Sequence, residues 1–118
     1  MKTAFLFFAI ASFLTQNALA QTADGFVGHF EKNTTSTVDF LKTAKNNREV
    51  FRLKLAQCRI EGALQWIGSH YASFTNGDCF LVFQFSPDFQ NVKVASKNCM
   101  KTCGAEISTS ADGQYLKR

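Results

Sequence analysis

The chain has 118 residues, of which 46% are hydrophobic and 19% charged, and a formal net charge of +4. That length supplies one domain, and the apolar share excludes an intrinsically disordered chain. The positive balance is too weak to argue for nucleic acid, which requires Lys and Arg clustered on one face.

In chain order, the first element is a leader. Met1-Lys2 is a short positive start, residues 4–14 (AFLFFAIASFL) are an apolar run, and Ala18-Leu19-Ala20 is a small-residue cleavage signal. This is the layout of a secretory signal peptide over residues 1–20, with Gln21 as the expected mature start and residues 21–118 as the domain. The run is too short for a membrane-spanning helix, which needs about 20 apolar residues. No cysteine sits at the cleavage point to carry a lipid anchor. Four of the thirteen phenylalanines leave with the leader (Phe5, Phe7, Phe8, Phe13). The others, with Trp66, Tyr71 and Tyr115, supply an aromatic core.

Period-two patterning then runs through the domain. In residues 25–31 (GFVGHFE) Phe26, Gly28 and Phe30 share one side, which turns His29 outward. Residues 37–44 are expected as a strand because Thr37 and Val38 are β-branched. In residues 49–55 Phe51, Leu53 and Leu55 alternate with Arg52 and Lys54. Residues 58–68 continue as a strand with Gly62 as a candidate bulge, and 71–75 form a short strand. Asn76-Gly77-Asp78 is a turn, and residues 79–85 (CFLVFQF) are the most apolar strand. Pro87-Asp88 breaks that strand and 91–95 returns. Residues 104–108 and 114–117 close the fold around an Asp112-Gly113 turn. The expected fold is all-β: a small, antiparallel, up-and-down barrel of about eight strands, closed or nearly closed and stapled by disulfides.

Cys58, Cys79, Cys99 and Cys103 are an even set in a short exported chain, which favours two disulfides over a metal site. Cys58 and Cys79 supply no second metal knuckle, and Cys99 and Cys103 lack the C-x-x-C spacing of redox thiols. Strand order brings all four to one rim, which by itself leaves the pairing open. Cys58–Cys79 with Cys99–Cys103 is preferred, because a C-x3-C pair closes locally.

Phe26-Val27-Gly28-His29-Phe30 resembles the first-strand F-x-G-x-W pattern of the calycins, with Phe30 at the Trp position. That resemblance implies a barrel. The layout as a whole is similar to small periplasmic barrel proteins of Gram-negative bacteria, some of which inhibit lysozymes, and implies an inhibitor-like role. The positive charge argues against a strongly basic target.

No catalytic pattern stands out. His29 and His70 have no recognisable nucleophile–base motif around them, the acids are scattered, and no phosphate loop or H-E-x-x-H is present. No cofactor and no metal are expected. Two candidate binding patches remain. Lys42, Lys45, Arg48, Arg52, Lys54 and Arg59 form a dense basic run diluted by Glu49 alone, suited to an anionic partner. Trp66, His70 and Tyr71 gather at a loop, where a Trp can anchor a protein interface. Phe89 either joins them or folds under. Asn33-Thr34-Thr35 matches a eukaryotic glycosylation acceptor, but the leader reads as bacterial and the match is set aside as chance.

The expectation is therefore a monomeric, periplasmic or secreted, non-enzymatic binding protein for a protein or anionic envelope component. Its rival is a carrier of a small apolar ligand inside the barrel, which needs an open apolar cavity.

Overall fold

A computed structural model describes residues 24–99 and 111–118. Nine strands follow in order: β1 (Gly28–Asn33), β2 (Ser36–Lys42), β3 (Glu49–Leu55), β4 (Cys58–Ala63), β5 (Gln65–Trp66), β6 (Tyr71–Asn76), β7 (Cys79–Phe85), β8 (Asn91–Lys97) and β9 (Gly113–Lys117). They make one antiparallel sheet in the order β4-β3-β2-β1-β9-β8-β7-β6-β5. The fold is thus an all-β, nearly closed barrel.

The two edge strands of that sheet, β4 and β5, are consecutive in sequence. Antiparallel pairing throughout makes them run the same way, with only Leu64 between them. Residues 58–66 therefore act as one strand that changes partner, from β3 at Cys58–Ala63 to β6 at Gln65–Trp66. This accounts for the small difference between nine strands and the expected eight. Gly62 is not a bulge, since β4 stays in unbroken register from Cys58 to Ala63. It is there for space. A Cβ on Gly62 would collide with Cε1 of Phe74, a β6 ring that reaches across from the far edge.

Alternation decides which side chains enter the barrel. Phe51, Leu53 and Leu55 are buried in β3, as the pattern predicts, and Cys79, Leu81, Phe83 and Phe85 are buried in β7. Rings run in contact through the interior. Trp66 meets Phe85 at 5.7 Å, Phe85 meets Phe40 at 4.9 Å, and Phe40 meets Phe83 at 5.2 Å. Phe83 then meets Phe51, and Phe51 meets Phe74, each at 4.9 Å. Phe26 seals one end against Trp66 at 5.3 Å. Each fully buried Phe contributes about 1.5–3 kcal/mol by leaving water. Tyr115 is fully buried, and its hydroxyl donates to the Ala111 carbonyl at 2.8 Å. Burial pushes its phenol pKa up to about 12.

Two-residue loops join β1–β2, β3–β4 and β6–β7 at one end of the barrel. In the last of these Gly77 takes φ 59°, a left-handed value that costs a glycine nothing. The first strand starts three residues later than expected, because the Val27 amide donates to the Asp24 carbonyl and makes a turn. The expected strand at 104–108 lies outside the described residues. The closing element is β9, which pairs β8 on one side and β1 on the other.

The disulfide pairing differs from the preference for Cys58–Cys79 and Cys99–Cys103. Cys79 is bonded to Cys99, with Cα atoms 4.2 Å apart. The reason is register: Phe80 lies opposite Lys97, so Cys79 opens β7 where the chain leaves β8. Asn98 turns there with φ 61° and brings Cys99 alongside. Cys58 is also disulfide-bonded, and Cys103 lies outside the described residues.

Candidate functional site

The barrel end away from the Cys79–Cys99 bridge carries the loops 43–48, 67–70 and 86–90. Trp66, His70 and Tyr71 all lie at this end, in different settings. Trp66 turns inward between Phe26 and Phe85, and its Nε1 is buried without a hydrogen-bond partner among the described residues. It is partly buried and packs against the core. The His70 ring stacks on Phe89 at 4.7 Å and 22°, and its Nδ1 lies 2.9 Å from the Ser69 hydroxyl. No carboxylate is hydrogen-bonded to it among the described residues.

Phe89 both joins the group and folds under. It is buried, with φ 57°, a left-handed value a bulky residue rarely adopts. Local bonds hold the loop in this shape. The Phe89 amide donates to the Ser86 carbonyl at 2.9 Å, and the Ser86 hydroxyl donates to Asp88 at 2.8 Å. Hydrogen bonds from the Ser86 hydroxyl and then the Gln90 amide keep the Asp88 carboxyl below its ordinary pKa. Gly25 closes the other side, where a Cβ would stand 2.9 Å from the Phe89 ring.

What this base presents to solvent is Ile67, 66% exposed, and Tyr71, 45% exposed. The Ile67 amide donates to the Tyr71 carbonyl at 2.9 Å, so the two are fixed side by side. Ile67 was missed in the sequence, because an isolated aliphatic in a loop carries no pattern.

The basic run is divided by the fold. Lys42, Lys45 and Arg48 lie at the same end as Ile67, while Arg52, Lys54 and Arg59 climb the outer wall of β3 and β4. Acids interleave, one from the turn before β1 and one from β4 itself. Lys42 pairs with Asp24 at 2.9 Å, which raises its pKa. Glu61 lies 3.6 Å from Arg52 and 3.9 Å from Arg59. Lys45, Arg48 and Lys54 form no ion pair among the described residues. Below these loops the Leu64 amide donates to the Glu49 carbonyl at 2.9 Å, which continues the β3–β4 ladder towards the rim. The rim thus combines an apolar tip with two unpaired cations.

One constellation was not legible in the sequence. Asp39 of β2 lies opposite His29 of β1, and its carboxylate is hydrogen-bonded to Nδ1 at 2.5 Å. Glu31 takes Nε2 at 3.2 Å, and Arg118 reaches Glu31 at 3.8 Å. The Asp39 bond, chiefly, raises the His29 pKa above 6.5. Among the described residues no group of three or more His, Cys, Asp or Glu is placed to hold a metal ion, and no helix is long and apolar enough to cross a membrane.

The chain is therefore a disulfide-bonded, nearly closed antiparallel barrel with a ring-filled interior and a sculpted rim. Comparison with protein-family models, with curated proteins and with solved structures finds no match.

Proposed function

We propose that the chain is an exported, monomeric, non-enzymatic binding protein that docks a protein of the envelope or its surroundings onto the 43–48/67–71 rim. The observation that carries this reading is the rim's composition: exposed Ile67 and Tyr71 at the same barrel end as Lys45 and Arg48, which lack ion pairs among the described residues. Such a surface suits an apolar patch bordered by acidic side chains, with the apolar contact holding the complex and the cations guiding encounter. An inhibitor-like action follows naturally, since a rigid loop can occlude a partner's cleft at small entropic cost. Export fits a disulfide-bonded small domain, because such bonds persist in oxidising compartments. The carrier reading draws no support from the interior, where Phe40, Phe51, Phe83 and Phe85 occupy the space a ligand would need.

The test is capture of partners from envelope extract with wild type, with Ile67→Ser/Tyr71→Ser, with Lys45→Glu/Arg48→Glu, and with Lys54→Glu/Lys97→Glu as a control at the other end. A protein lost by both rim variants, roughly tenfold for each, and kept by the control supports the proposal. Retention by both rim variants overturns it.

A further inference from the structure

We propose that Asn33 is an acceptor for an N-linked glycan. The sequence Glu31-Lys32-Asn33-Thr34-Thr35 contains the N-x-T pattern that oligosaccharyltransferases read. The pattern alone reads as chance beside the bacterial style of the leader; what the fold adds reverses that reading, and the modification requires a host that carries such a transferase. Asn33, Thr34 and Thr35 are all exposed, at the two-residue turn joining β1 to β2. This turn stands at the barrel end opposite Ile67 and Tyr71, so a sugar chain there leaves the docking rim clear.

The amide is also presented in a reactive sense. Its Oδ1 accepts from the Thr35 amide at 3.0 Å, the Thr35 hydroxyl at 3.0 Å and the Ser36 amide at 2.9 Å. Its Nδ2 has no hydrogen-bond partner among the described residues. Every one of these bonds spans two or three residues, so the arrangement does not depend on the finished barrel and is open to an enzyme acting on the nascent chain. Hydrogen bonds donated to Oδ1 draw electron density from the amide and ease loss of an Nδ2 proton.

The step balances with a lipid-linked oligosaccharide pyrophosphate as donor. Nδ2 attacks the anomeric carbon of the first sugar, and a C–N bond forms as the C–O bond to pyrophosphate breaks. The lipid pyrophosphate departs with the electron pair, and one Nδ2 proton passes to a base of the transferase. The inference rests on the export part of the proposed function, since such transfer takes place outside the cytoplasm.

The experiment is intact-mass and peptide analysis of the protein purified from its own host, for wild type, Asn33→Gln, Thr35→Ala and Thr35→Ser. The proposal expects a mass above the polypeptide by whole sugar residues, located on the Asn33 peptide. A glycan amidase should remove that mass and convert Asn33 to Asp. Asn33→Gln and Thr35→Ala lose the mass, and Thr35→Ser retains it. An unmodified Asn33 peptide, or sugar mass persisting in Asn33→Gln, overturns the proposal. The N-terminus of the same sample reads export separately: a start at Gln21 with bare Asn33 sinks the glycan alone, whereas an uncleaved Met1 start sinks the export reading.

Discussion

Gly62 shows how a single side chain, or its absence, decides whether the barrel closes. The Phe74 ring occupies the space where a Gly62 Cβ would stand, and it touches Phe51 beyond. Gly62→Val should therefore cost about 1–3 kcal/mol by overpacking, measured by denaturant unfolding. Adding Phe74→Leu should recover part of that loss, and a simple sum of the two single losses would rule out the steric account. His29 offers a second case at this scale. Its folded-state pKa lies above 6.5, chiefly through the Asp39 bond, so protonation favours the fold. The contribution is whole below pH 6.5 and fades as pH rises through the raised value. It is small, because both side chains are about two-fifths exposed. Asp39→Asn should lower the His29 titration midpoint seen by NMR, and an unmoved midpoint would exclude the pairing in solution.

Among the elements, the β7–β8 hairpin has covalent support as well as its ladder. Cys79–Cys99 spans a sequence separation of 20, and the chain-entropy model assigns such a closure about 3 kcal/mol. Replacing both cysteines with Ala should lower stability by roughly that amount while leaving the strands in place. A peptide map without reductant should find Cys79 joined to Cys99. A Cys58–Cys79 link in that map would contradict the register that sets Phe80 opposite Lys97. The rim loops behave differently, since their shapes come from short-range bonds. Loop 86–90 holds Phe89 under His70 through Ser86 and Asp88, and this makes a firm base for the exposed Ile67–Tyr71 pair.

For the whole molecule, closure depends on the last strand. Among the described residues β9 pairs with β1 at Phe30↔Lys117 and Glu31↔Leu116, reinforced by the Arg118 amide donating to the His29 carbonyl at 2.8 Å. Lys117 also lies over the Phe30 ring at 5.6 Å and donates to the Gly25 carbonyl. Deleting residues 113–118 removes Tyr115 from the core and frees the edges of β1 and β8, which become templates for association. The expected outcome is loss of cooperative thermal unfolding and aggregation on size exclusion. Deleting Arg118 alone should leave a folded monomer. A folded, cooperative product from the longer truncation would show that the rest of the barrel closes without β9.

The alternation of side chains was legible in the sequence, because the period-two rule links only neighbours two residues apart. Hence β3 and β7 fall at residues 49–55 and 79–85 as read from the sequence, and the Gly77 turn lies between its expected strands. That Trp66, His70 and Tyr71 share one end of the barrel was legible too, since they follow one another along the chain. What joins strands distant in sequence was not legible. The Cys79–Cys99 bond, the Asp39 carboxylate beside His29 and the placing of Glu61 against Arg52 each depend on register between separate strands. Register is settled by which faces can be buried together and by turn geometry, a property of the assembled sheet. Local order therefore belonged to the sequence alone, while the partners of the cysteines and charges were decided only when the barrel closed.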